Sequence, residues 1–141
     1  MSDNSSAIAW AIDKIGNSNQ VKSAEIVDTN LLLVKTISGE AYKIAVMSVS
    51  KISSRDLTNI INGNDVDFVL NIKKDVLITG SAIQYSMQHC FGVGGLGDLY
   101  VAINESNLNN YLSKETRFIL RGLEQHTRVS NVQRINNRVY R

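Results

Sequence analysis

The chain contains no proline and one cysteine in 141 residues. Without proline there is no proline-rich linker, and Cys90 alone cannot form an internal disulfide. No CxxC pair or Cys/His cluster is present to hold zinc. Cys90 is therefore read as a buried structural thiol, since a nucleophile would need a placed partner and His89 beside it points elsewhere along any regular element. His89 and His126 are the only neutral-range proton carriers, and the GxSxG, GxxxxGK[ST] and HExxH patterns are all missing. A hydrolase built on Asp and Lys alone is left open by these absences. Aromatic residues make up 6% of the chain, too few for an obvious base-stacking platform, and Trp10, Phe68, Phe91 and Phe118 fall at expected core positions. No apolar run approaches the ~20 residues that span a bilayer, and MSDNSSAIAW lacks the basic end and apolar stretch of a secretory signal. No membrane partner is expected, the location is expected to be cytoplasmic, and the mature protein is expected to be the whole chain.

What is present fits a soluble α/β (α+β) protein. Apolar residues at 43% and charged ones at 20% argue against disorder, and the length suits one domain over residues 1–141. Its core is expected over about 5–80, with a basic helix and hairpin over about 106–141. The net charge of +2 conceals a segregation: six of the seven arginines, Arg117, Arg121, Arg128, Arg134, Arg138 and Arg141, face only Glu124 after residue 116. Arginine suits bidentate phosphate contacts, so nucleic acid is one partner this end implies. A solvated terminal segment, or one paired with the acidic body or a partner chain, explains the same letters.

Ile8, Ala11, Ile12 and Ile15 stand at helical spacing before Gly16 and Asn17. Three extended stretches follow, 21–28, 30–36 and 41–48, rich in Val, Ile, Leu, Thr and Tyr and separated by turn residues, which predicts an antiparallel meander. Ser53 or Ser54 caps a short helix with Leu57, Ile60 and Ile61 on one face and Gly63 as its stop. DVDFVLNI reads as a strand with Val66, Phe68 and Leu70 on one face, and DVLITG as a further extended piece. The order αβββαβ predicts a mixed sheet flanked by helices, because the strand after the second helix reaches the sheet by a crossover. A longer helix is expected from Ser106 or Asn107 through Leu108, Leu112, Glu115, Ile119 and Leu123, then two short strands around Asn136 and Asn137. With Arg141 inside the second of these, the chain is also open to being one domain of a longer protein.

In FGVGGLGDLY, Gly92, Gly94 and Gly97 spell GxGxxG, the spacing of a loop that cradles a dinucleotide pyrophosphate. Such a loop needs a strand before it, a helix after it and an acid ~20 residues on at the end of a second strand. SAIQYSMQHCF alternates like a strand, yet Ile83, Met87 and Cys90 fit a helix and Thr79-Gly80-Ser81 looks like a start signal, so a helix capped by Ser81 is expected. Asp98 as N-cap of the following helix would put negative charge where a phosphate sits. The expectation is that Gly92 caps the preceding helix and that Gly92, Gly94, Gly95 and Gly97 form a flexible connection close to the sheet.

The element order over about residues 5–72 resembles the core of the restriction-endonuclease-like, PD-(D/E)XK nucleases. The resemblance implies an Asp at the second core strand and D/E-x-K on the third, two carboxylates for a divalent metal and a lysine that helps activate water. In GEAYKIAV the position two before Lys43 is Ala41, and Glu40 lies on the opposite face. Asp28 reads as a turn residue beside Thr29 and Asn30. Asp65 and Asp67 share an expected face, and Asn71-Ile72-Lys73 has the motif's spacing with an amide for the acid, which makes Asp65, Asp67 and Lys73 the catalytic candidates. The resemblance thus implies a degenerate, noncatalytic member without a cofactor, binding nucleic acid phosphates through the C-terminal arginines. Two alternatives stand beside it: a protein-interaction or self-associating domain, as a homo-oligomer or with another protein, and a metal-dependent nuclease using Mg²⁺.

Overall fold

In the computed structural model, which describes residues 5–73, 76–106, 108–112, 116–117 and 121, the first two thirds of the chain wind into a three-layer arrangement. Helix α1 (Ser5–Gly16) precedes the meander β1 (Val21–Asp28), β2 (Leu31–Thr36) and β3 (Ala41–Met47). A two-residue strand, β4 (Lys51–Ile52), leads into α2 (Ser54–Ile61), then β5 (Phe68–Asn71), β6 (Leu77–Ile78), α3 (Gly80–Gln88), β7 (Gly92–Gly94) and α4 (Leu96–Asn104). A 3₁₀ turn covers Leu108–Asn110. The main sheet runs β1-β2-β3-β5-β7, with β1, β2 and β3 antiparallel and β5 and β7 added parallel to β3; β4 and β6 form a separate parallel pair. The mixed sheet flanked by helices is the fold the element order predicts.

Alternation along the strands divides the core in two. Ile44 and Val46 face one side with Leu32, Val34, Phe68 and Leu70, under Ile8, Ala11 and Ile15 of α1 and Leu99 and Ala102 of α4. Ala45, Met47 and Val69 face the other with Leu57 and Ile61 of α2 and Ala82 of α3. Both faces are thereby covered, as a strand such as FVLN, buried at every position, requires. Phe68 is fully buried, a burial that contributes about 2 to 3 kcal/mol.

Local chemistry fixes the ends of the elements. Ser53 caps α2 in a reciprocal box with Asp56, its hydroxyl accepting the Asp56 N–H at 3.1 Å while the Asp56 carboxylate accepts the Ser53 N–H at 3.1 Å. The left-handed stop comes one residue earlier than the glycine, at Asn62. Helix α3 forms as expected, but Thr79 rather than Ser81 caps it, the Thr79 hydroxyl accepting from the Ala82 N–H.

Five expectations need correction. Gly92 does not cap α3: the left-handed residue there is Cys90, and Gly92 is already in β7. Cys90 is exposed, because the turn that reverses the chain between helix and strand holds it at the surface. Trp10 lies on the outer side of α1, 39% exposed, with the Lys14 ammonium 6.0 Å from its ring. Val66 packs with the α2–α3 cluster, not with Phe68 and Leu70, since it precedes the strand and is free of its alternation. The segment after Ser106 starts no long helix: Ser106 is left-handed, Leu108–Asn110 is a 3₁₀ turn, and Leu112 bridges Val93 in parallel, so the sheet edge takes the backbone that a helix would need. Residues 116, 117 and 121 are helical. The expected C-terminal hairpin lies outside the described residues.

Candidate functional site

The carboxyl ends of β3, β5 and β7 share one end of the sheet, the end at which open α/β sheets place ligands. There the glycine-rich stretch does form strand, turn and helix, contrary to the expectation of a helix directly before a loose loop. Gly92 and Gly94 lie in β7, Gly95 is the N-cap of α4, and Gly97 sits in its first turn. The first two glycines answer to close packing. A Cβ on Gly92 would meet the Leu108 carbonyl oxygen at 2.5 Å and the Phe68 ring at 2.8 Å, and one on Gly94 would meet the Asp98 side chain at 2.6 Å.

The amino end of α4 is occupied by the protein's own carboxylate. Asp98 is not the N-cap; it stands three residues inside, and its Oδ2 accepts the Gly95 N–H at 2.9 Å. Its Oδ1 accepts the Tyr111 hydroxyl at 2.7 Å. A nucleotide phosphate would have to displace this carboxylate, and no acid at the end of a following strand stands ready for a ribose among the described residues. Tyr111 is buried, and its phenol is pushed up to about 12, first by desolvation and then by the adjacent Asp98 charge, with the Arg117 guanidinium pulling the other way. Its ring lies 6.1 Å from that of Phe68.

The residues proposed from the nuclease pattern stand before and after β5. Asp65 is exposed in the loop before β5. Asp67, also before the strand, uses both oxygens: Oδ2 accepts the Lys43 backbone N–H at 2.9 Å and Oδ1 accepts the Asn109 amide at 3.1 Å. Lys73 follows β5, so the four residues of that strand and Ile72 lie between it and Asp67. Asn71 holds the β3–β4 connection: it is buried, its Oδ1 accepts the Val49 N–H at 2.8 Å and its Nδ2 donates to the Val49 carbonyl at 3.1 Å. Asp28 accepts the Thr29 N–H at 2.7 Å, a turn role. Among the described residues, no group of three or more His, Cys, Asp or Glu side chains is arranged to hold a metal ion.

At the amino end of the sheet, Glu40 accepts from the Ser38 hydroxyl at 3.1 Å and from Ser106 at 3.3 Å, tying the β2–β3 turn to the end of α4. Tyr42 beside it is raised by desolvation and by the Glu40 carboxylate. His89 stacks on Tyr85 with centroids 4.1 Å apart, and its Nδ1 lies 2.9 Å from the Tyr85 carbonyl.

Of the six C-terminal arginines, Arg117 and Arg121 are described; both are exposed and in helical conformation. Arg128, Arg134, Arg138 and Arg141 lie outside the described residues. The Asp98–Tyr111 pair was not singled out as a contact by sequence reasoning, although Asp98 was marked as a capping acid; no local signal joins residues thirteen apart. No helix among the described residues is long and apolar enough to cross a membrane. Comparison with protein-family models, with curated proteins and with solved structures finds no match.

Proposed function

We propose that the chain is a noncatalytic, nuclease-like domain that binds nucleic acid phosphates through its C-terminal arginines. The observation that carries this reading is the segregation of six of seven arginines after residue 116, of which Arg117 and Arg121 are exposed. The αβββαβ order and the sheet in which β5 runs parallel to β3 are compatible with the nuclease-like core. Ala41 stands where that family's strand acid would be, and both Asp67 oxygens accept hydrogen bonds, from Lys43 and Asn109, which favours binding over hydrolysis.

Fluorescence anisotropy of labelled duplex DNA, single-stranded DNA and RNA, at low and moderate salt and with or without magnesium, tests this reading, followed by a gel of the same samples. Binding that weakens with salt and leaves the strands intact is the expected result. Magnesium-dependent cleavage would reinstate the metal-dependent nuclease, and absence of binding under every condition would remove nucleic acid.

A second reading has its own observation. Strand β1 is the terminal strand of the sheet among the described residues, and Ile26 and Val27 on it are 57% and 47% exposed. Such an edge is suited to pairing with another chain. Light scattering across a concentration series distinguishes a self-associating domain from a monomer.

A further inference from the structure

We propose that the chain forms a symmetric dimer in which β1 pairs antiparallel with β1 of a second copy, centred on Ala24, with Glu25 of each copy reaching Lys35 of the other. The dimer deepens the self-associating reading above and rests on it; it makes no use of the arginines.

The open hydrogen-bonding groups of β1 follow from its neighbour. Asn30 and Thr36, at either end of β2, bond toward β3: the Val46 N–H donates to the Asn30 carbonyl at 2.9 Å and the Thr36 N–H to the Glu40 carbonyl at 2.8 Å. Successive residues of a strand turn their backbone groups to opposite sides, so Leu33 and Lys35 turn to β1, where they oppose Glu25 and Ser23. The N–H and carbonyl of Ala24 and Ile26 therefore point away from β2, on the side where no strand follows among the described residues. Register shifts between Val21 and Ser23 and between Ile26 and Asp28 leave residues 23–26 as the regular part of this edge.

Two copies share one continuous sheet when a two-fold axis stands perpendicular to it. Opposed residues of an antiparallel pair point to the same face, so the residue at the axis opposes its own copy rather than its neighbour. Only a centre on Ala24 or on Glu25 keeps more than one opposed pair within residues 23–26. A centre on Glu25 sets two carboxylates directly against each other, which is destabilising. A centre on Ala24 sets Glu25 opposite the partner's Ser23 instead. Ser23 stands beside Lys35 in the β1–β2 register and its side chain is short, so the carboxylate of one copy has a path over Ser23 to the ammonium of the other, on both sides of the axis. Ser23, Glu25 and Lys35 are all exposed. On the other face, the exposed Ile26 comes to lie opposite the aliphatic stem of the partner's Lys22.

In a Cys90→Ser background, which removes the exposed native thiol, Ala24→Cys would oppose its own copy at a Cα separation of about 5.5 Å, inside the range a disulfide spans. Ser23→Cys would set its two thiols on diagonal positions about 7 to 8 Å apart and serves as the control. With oxidised glutathione, Ala24→Cys should give a covalent dimer on a non-reducing gel about tenfold faster than Ser23→Cys, or more. Sedimentation velocity supplies the second measurement. Glu25→Lys and Lys35→Glu should each weaken self-association about tenfold, because each sets like charges across the axis. Mixed together, the two variants should pair with the wild-type Kd, since each then offers the other its opposite charge, a recovery that an effect within one chain would not give. Equal cross-linking at the two positions, or no recovery on mixing, would overturn this pairing and leave self-association to another surface. A wild type that stays monomeric at every concentration would remove the self-associating reading and this dimer with it.

Discussion

At one edge of the main sheet, β7 is three residues long, carries glycine at two of them, and is covered by α4 and by the strap at residues 108–112. At the other edge, β1 runs for eight residues with most of its side chains exposed, Ile26 and Val27 among them. The first edge is closed by backbone brought so near that side chains are excluded; the second is left long and apolar-bearing, the form that invites another chain. Closure of the glycine edge therefore costs sequence freedom, at Gly92, Gly94, Asp98 and Tyr111, whereas β1 constrains few of its outward positions. Substitutions should fall hard on one edge and lightly on the other.

The largest effect should come from Gly92→Ala. Its Cβ would stand 2.5 Å from a backbone carbonyl and 2.8 Å from the buried Phe68 ring, so the strap or the strand must move, and denaturant unfolding should show a loss of about 3 kcal/mol or more. A loss below ~1 kcal/mol would mean that the closed edge is softer than described. Next is Asn71→Ala, which strands both the N–H and the carbonyl of Val49 and should cost about 2 to 3 kcal/mol in the same measurement.

High pH separates the edges by titration. Tyr111 is pushed up to about 12 from an ordinary 10.0, so its neutral form is favoured by folding. The corresponding stability is fully present below pH 10 and is lost as pH rises from 10 toward 12. The stability gap between wild type and Tyr111→Phe should shrink across that window, and a constant gap would separate the hydroxyl from the closure of this edge. The smallest stability change is expected at the open edge. Ile26→Lys should change unfolding free energy by no more than about 0.5 kcal/mol while abolishing any concentration-dependent association seen by light scattering.

The contrast between edges also marks where the sequence was legible. The meander, α1 and α2 follow from residues whose signals are local: Ile8, Ala11 and Ile15 at helical spacing, and Ser53 with Asp56 in a capping box. Their bounds match expectation almost to the residue. The β7 edge did not read in the same way, because Gly92 and Gly94 are set by Leu108, Phe68 and Asp98 across the fold, and four glycines in six residues look like a flexible connection when those contacts are unknown. Leu108 and Leu112 likewise show helical spacing, yet their backbone is drawn to β7. For the candidate site, the letters Asn71-Ile72-Lys73 carried the spacing of a catalytic motif, while the structure gives Asn71 to the Val49 backbone and leaves Lys73 exposed. Spacing along a strand cannot distinguish a ligand from a side chain that braces a loop.

The most direct test of phosphate binding is the salt dependence of nucleic acid affinity in the wild type and in Arg117→Ala plus Arg121→Ala. If these arginines hold phosphates, the wild type should show a steep negative slope of log affinity against log salt, and the double variant should lose about 2 from its magnitude with its melting temperature unchanged. Identical slopes in the two proteins, or no affinity in the wild type at low salt, would contradict the account.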